Sequence, residues 1–188
     1  MKKVNSTNFV PRKIFLTKGV GVHKEKLASF ELALRDAGIA ALNLITVSSI
    51  LPPECEFVDK ETGVKLLSPG QIVPIVLARS ESNKSSTLVS SGVGVAVPRD
   101  KEHYGYLSEH HGFDMDDNQM EEYVEDLAAE MLATTYGIKF DPDASWDEKR
   151  ELWSIDNRIV KTRSVVQTGL VDVEGRWTTT VAAAVLVL

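Results

Sequence analysis

The order of elements in this sequence predicts an α+β fold, an αββα sandwich of mainly antiparallel sheet with flanking helices. Three observations carry that expectation. Two stretches, about 23–37 and 116–136, repeat apolar residues at helical spacing, and each ends at a glycine, Gly38 or Gly137. Between and beyond them lie shorter runs that alternate in polarity or are apolar throughout, as strands do. The last run, Trp177–Leu188, is apolar on both faces (VAAAVLVL), which calls for a covered, central strand.

In chain order, Lys13–Thr17 reads as a strand, and Gly19 and Gly21 as a loop before the first helix. That helix, from about His23 to Ala37, carries Leu27, Phe30, Leu34 and Ala37 as its apolar stripe. Leu42–Val47 is a second strand, broken soon after by Pro52 and Pro53. Residues 54–71 read as turns. Ile72–Ala78 is strand-like, with Pro74 pushing it towards an edge or a bulge, and Ser80–Ser86 is a polar loop. Leu88–Val97 alternates cleanly. Val89, Ser91, Val93, Val95 and Val97 share one face, while Ser90, Gly92, Gly94 and Ala96 leave the other open to something packing or binding very close. Gly105–Glu109 is a short strand, and Met120, Val124, Leu127 and Met131 form the stripe of the second helix. Asp141–Ile159 reads as a short helix around Asp147–Trp153 plus a loop, followed by a strand at Thr162–Thr168. No repeat or linker divides the 188 residues, which suit one well-cored domain.

The balance of 21 basic and 27 acidic side chains, a net charge of −6, argues against nucleic acid or an anionic membrane as the main partner. It is compatible with a cationic small molecule. Cys55 is alone, so no intrachain disulfide is expected, and Glu54 and Glu56 beside it disfavour a thiolate nucleophile. The basic N-terminus lacks the apolar run of a signal peptide, and no apolar run is long enough to span a membrane as a helix. A cytoplasmic protein is expected.

The stretch that points to chemistry is NLITVSSILPPE, Asn43 to Glu54. A serine pair closing an apolar strand just before a proline pair is an unusual turn. Ser85-Ser86 and Ser90-Ser91 show that a serine pair alone is an ordinary hydrogen-bonding feature. If the backbone holds Ser49 Oγ against the Ser48 carbonyl carbon, however, attack converts the amide into an ester. Elimination then cuts the chain, and hydrolysis of the resulting dehydroalanine leaves a pyruvoyl group and ammonia. Such a reaction needs a turn that fixes the attack geometry and a donor to the Ser48 carbonyl oxygen.

NLITVSSILPPE resembles the processing segment of the pyruvoyl-dependent arginine decarboxylase family. The likeness extends to Asp36-Ala-Gly38-Ile39, Val93-Gly-Val-Ala-Val-Pro98-Arg-Asp100 and Gly105-Tyr-Leu-Ser-Glu109, and covers roughly residues 13–140 and the final thirty or so. The resemblance implies self-cleavage between Ser48 and Ser49, giving a β chain of 1–48 and an α chain of 49–188. Ser49 becomes the pyruvoyl cofactor, with neither pyridoxal phosphate nor metal. The implied reaction joins L-arginine to that group as a Schiff base and yields agmatine and carbon dioxide, a step towards polyamines. Among the implied site residues, Asn43 assists processing and substrate placement, and Glu109 protonates the substrate carbon. Ser48 is left as the new carboxyl terminus beside the substrate. Glu31 lies near the substrate's side chain, where the family pattern has an aspartate. The implied assembly is a homotrimer with active sites between protomers.

These roles suit the residues' own chemistry. A pyruvoyl ketone accepts an amine and then the electrons released with carbon dioxide. A carboxylic acid at Glu109 delivers a proton, and Glu31 can pair bidentately with a guanidinium. Other readings are weaker. His103, His110 and His111 with Glu109 suggest a metal, but adjacent residues on a strand point to opposite faces. Gly19-Val-Gly21 suggests a phosphate loop, but Lys24 stands where its third glycine belongs. Two alternatives stay open: decarboxylation of another amino acid such as histidine or aspartate, and an intact, non-processed relative acting as a binding or structural protein.

Overall fold

A computed structural model of the chain describes residues 9–137 and 159–188. The expected 147–153 helix lies outside the described residues. Two sheets stack face to face. The first has the order β2-β5-β9-β1-β4 and the second β3-β7-β6-β8. Their strands are β1 (Lys13–His23), β2 (Asn43–Thr46), β3 (Ile50–Leu51), β4 (Glu56–Phe57), β5 (Ile72–Ser82), β6 (Leu88–Pro98), β7 (Gly105–Phe113), β8 (Ile159–Leu170) and β9 (Trp177–Val187). Helices α1 (Lys26–Asp36) and α2 (Lys60–Lys65) cover the outside of the first sheet, and α3 (Asp117–Thr135) covers the second. The αββα sandwich expected from the sequence is the observed architecture. Among the described residues only β1–β4 and β2–β5 pair in parallel.

The apolar last strand explains the layering. β9 lies between β5 and β1 and is buried on both faces. Ala182, Ala184 and Leu186 face Val93, Val95 and Leu107 across the gap between the sheets. Val181, Ala183 and Val185 face Ala33 and Ala37 of the α1 layer. Period-two alternation thus supplies two cores from one strand.

The helices sit unusually close to the strands. Gly19 and Gly21 do not form a loop; they lie within β1, beneath α1. A Cβ at Gly19 would stand 2.2 Å from the Ala33 carbonyl oxygen, and one at Gly21 2.1 Å from that of Ser29. The sequence reads these glycines as a loop, but here they remove side chains so that helix backbone can rest on strand backbone. The stripe of α1 shifts accordingly. Ser29 and Ala33 are buried in the helix, whereas Leu27 is 76% exposed. On the other side, the small face of β6 receives α3. A Cβ at Gly94 would lie 2.1 Å from the Val124 carbonyl oxygen, and Ser108 Oγ donates to that same oxygen. Met120 and Val124 are buried as expected, but Ala128, Ala129 and Leu132 continue the contact.

Other departures have local causes. The turn-rich stretch contains α2, whose N-cap Asp59 accepts from the Thr62 amide. Its interior glycine, Gly63, is where the Phe15 ring packs, and a Cβ there would be 2.2 Å from Phe15 Cδ1. β5 is an inner strand despite Pro74. Pairing with β9 begins only at Ile75, however, so at Pro74 the strand has β2 on one side alone. β1, β5, β7 and β8 all run longer than their sequence signals because the neighbouring strands extend the ladders.

The Gly94→Ala variant should lose about 1–3 kcal/mol of stability, because the Val124 backbone cannot yield as a flexible side chain would. A lowered urea midpoint with an unchanged m-value is the expected reading.

Candidate active site

Ser48 and Ser49 lie where the chain leaves one sheet and enters the other. β2 pairs with β5 in the first sheet, and the Val47 amide extends that pairing by donating to the Ile75 carbonyl at 3.1 Å. Two residues later, the Ser49 carbonyl accepts from the Leu107 amide at 2.8 Å, and β3 runs alongside β7 in the second sheet. The junction is therefore fastened on both sides.

Strand parity places the side chains. Leu51 and Leu107 both point into the core between the sheets. Ser49 and Glu109, each two residues away along its own strand direction, share that face. They meet at the edge of the sandwich, where the Ser49 hydroxyl donates to Glu109 Oε2 at 2.8 Å. Ser49 is half-buried, whereas Glu109 and Ser48 are exposed. Residues 60 apart in sequence are thus in hydrogen-bond contact.

The Ser48 carbonyl is held as well. The Ile50 amide donates to it at 2.8 Å, closing a three-residue turn around Ser49. Nothing in the residue types revealed this donor, because a backbone N–H has no signature of its own.

Asn43 and Glu31 are placed elsewhere within the chain. Asn43 opens β2, at the end away from Ser49, and its Nδ2 donates to the Gly70 carbonyl at 2.7 Å. Glu31 lies on α1, outside the first sheet, and its Oε1 accepts from Arg35 Nε one turn later. The structure of one chain brings together Ser48, Ser49 and Glu109, but not these two.

The histidines do not form a metal set. His103 Nδ1 is 3.1 Å from Asp100 Oδ2, while His110 packs against the Tyr123 ring and stacks on the His111 ring at 6.2 Å. Among the described residues no group of three ligating side chains is poised to hold a metal. Gly19 and Gly21 are covered by α1 and leave no phosphate loop.

The model of the pyruvoyl-dependent arginine decarboxylase family matches residues 13–188. This chain belongs to that family. A protein of Chlorobium limicola named "Probable pyruvoyl-dependent arginine decarboxylase" is 54% identical over 179 residues, which is 95% of this chain and 98% of its own. "Pyruvoyl-dependent arginine decarboxylase 2" of Methanosarcina mazei is 53% identical over 178 residues, 95% of this chain and 97% of its own. A relative from Chloroherpeton thalassium, also named "Probable pyruvoyl-dependent arginine decarboxylase", matches at 53% with the same coverage of this chain. The matched span takes in the serine pair, Glu109 and β9, so family membership rests on the whole sandwich. Members of the family depend on a pyruvoyl cofactor and have arginine as their substrate by name. No helix among the described residues is long and apolar enough to cross a membrane.

Cys55, close to the serine pair, is held unreactive by burial. Its side chain packs on the core between the sheets, and desolvation pushes the thiol from 9.0 up to about 11. Burial, not the neighbouring glutamates, is the cause. Because the raised value belongs to the folded state, the thiolate fraction at pH 8 falls about a hundredfold on folding. Alkylation of Cys55 at pH 8 should accordingly be about a hundredfold slower in the native protein than in urea.

Proposed function

We propose that this chain is a self-processing arginine decarboxylase, cleaved between Ser48 and Ser49 into fragments 1–48 and 49–188 of one domain. The hydrogen bond from Ser49 Oγ to Glu109 Oε2 supports this reading most directly. Glu109 is in position to take the hydroxyl proton while Oγ adds to the Ser48 carbonyl carbon. Collapse breaks the bond to the residue 49 nitrogen, which receives a proton, and an ester remains. Loss of the residue 49 α-proton then expels the Ser48 carboxylate and leaves dehydroalanine. Water converts this to the pyruvoyl group and releases ammonia.

The residues fit such a group, since the precursor hydroxyl already touches a proton acceptor at the mouth of the sandwich. Once formed, the group supplies a ketone that captures the arginine amine and draws in the electrons freed with carbon dioxide. Glu109 Oε2, within hydrogen-bond reach of residue 49, holds the proton for the carbon that loses carbon dioxide, giving agmatine. Neither pyridoxal phosphate nor a metal enters this scheme.

Asn43 and Glu31 fit it as residues donated across a subunit boundary. A homotrimer with sites between protomers would bring them, with the new Ser48 carboxylate, to a neighbour's substrate. Ile45 and Ile72, along the paired β2 and β5, support an apolar interface there, being 50% and 61% exposed in the single chain. Glu31 would exchange its Arg35 partner for the substrate guanidinium.

Ser49→Ala should remain a single band on a denaturing gel and be inactive; a split Ser49→Ala chain would exclude Ser49 as the nucleophile. Glu109→Gln should cleave slowly and, in the fraction that splits, lower kcat about 10²–10⁴-fold with KM little changed. Glu31→Gln should cleave normally and raise KM for arginine on the order of ten- to a hundredfold, from the loss of a charge-assisted pair. An unchanged KM would remove Glu31 from the substrate site. Wild-type protein that stays whole would favour the intact, non-processed reading, and turnover of histidine or aspartate in place of arginine would reassign the substrate.

A further inference from the structure

The hydrogen bond closing the turn at the serine pair has a catalytic meaning. The oxygen that accepts from Ile50 N–H is the one on which negative charge grows when Ser49 Oγ attacks. Three observations make this donor available. Leu107 N–H bonds to the Ser49 carbonyl, and Ile50 faces Tyr106, so these two form a non-hydrogen-bonded pair of the β3–β7 ladder. Ile50 N–H consequently points away from β7 and has no ladder partner to leave. Ser49 has a negative φ, so the three-residue turn is of the inverse γ type, which needs no left-handed backbone. Asn43, which the family resemblance links to processing, has its Nδ2 bonded to Gly70 O instead.

We propose that the Ile50 backbone N–H is the oxyanion donor for self-cleavage. The inference rests on the self-processing reading given above. In the ground state the N–H meets a neutral carbonyl. As the Oγ–C bond forms, the carbonyl π pair moves onto the Ser48 oxygen, and the Oγ proton passes to Glu109. The same contact then becomes charge-assisted and roughly twice as strong. Collapse returns that pair to the carbonyl, breaks the C–N bond and sends a proton to the departing nitrogen. Only the added strength in the charged state accelerates the step, and a donor already in position reorganises little. The turn also has a built-in end point. Once the ester is eliminated, Ser48 is a separate carboxylate no longer joined to residue 49, and the bond that held the oxygen in place is free to dissolve.

The test replaces Ile50 in the full-length chain by its α-hydroxy acid, so that an ester oxygen stands where the N–H was and the side chain is kept. Splitting at 48–49, followed on a denaturing gel, should slow about a hundredfold, the scale for losing one oxyanion donor. The same exchange at Leu107 removes the N–H that fastens the Ser49 carbonyl and leaves the turn donor intact. It controls for the weaker carbonyl that an ester at position 50 creates, and should split at close to the unmodified rate. Hydroxylamine, which cleaves the ester intermediate, should not restore fast splitting at 48–49 to the Ile50 exchange, because the acyl shift itself is slowed; fragment masses separate that cut from cleavage of the introduced ester between residues 49 and 50.

Three results would overturn the assignment: splitting of the Ile50 exchange at the unmodified rate, equal slowing by the Leu107 exchange, or hydroxylamine release of a fragment whose mass places the cut at 48–49. An unmodified chain that never splits would sink the self-processing reading and this donor with it. An unmodified chain that splits alongside an equally fast ester variant would sink the donor alone.

Discussion

The chain has to pass from one sheet to the other within two residues. Stacked sheets lie about 10 Å apart, and the chain is fixed on both sides of the gap by Val47 N–H on Ile75 and Leu107 N–H on the Ser49 carbonyl. With both ends tied, Ser48 and Ser49 have little freedom to settle into another turn. Their geometry is set by the two ladders and by the packing that fixes the distance between them. The candidate site is thus a property of the sandwich as a whole, although only a few side chains touch it.

That packing relies on missing side chains. Gly19 and Gly21 admit α1 onto the first sheet, and Gly92 and Gly94 admit α3 onto the second. The same device appears on both outer faces, while β9 fills the inside with alanine and valine. Small residues bring the layers close enough for β6, β7 and β9 to form a firm backing. Glu109 then stands on a strand beside Ser49 and not on a loop, which would suit the proton acceptor of the proposed scheme.

Much of this was legible in the sequence. The two-faced apolar pattern of β9 required a central strand, and the helix stops at Gly38 and Gly137 are where the backbone takes positive φ. Ser49 and Glu109 were paired by resemblance before their contact was visible. What could not be read has a common cause. Gly19 and Gly21 signal a loop, and Gly63 lies in a stretch that reads as turns, because a sequence does not show that a helix or a ring will lie on them. Strand lengths failed for β5, β7 and β8, where the partner decides how far the ladder runs. The Ile50 N–H was invisible because every residue but proline carries one. The separation of Asn43 and Glu31 from Ser49 within one chain was equally hidden, since linear resemblance says nothing about where the fold carries a residue.

β1 gives the scheme an order in time. It pairs with β9 along its full length, from Lys13 opposite Val187 to His23 opposite Trp177, and it also holds β4. In the proposed reading this strand belongs to the short fragment, and both partners belong to the long one. A long fragment made alone would have an unfilled slot at the middle of its first sheet, and Ser49 would not meet Glu109 until β7 was in place. In that reading folding comes first and scission second. A mature terminus at residue 49 would record that the chain had already assembled, and the ammonia lost in making it would leave no amine with which to rejoin the halves. From then on the two pieces would behave as a heterodimer whose interface is a sheet interior, held by strand pairing in place of the bond it outlived.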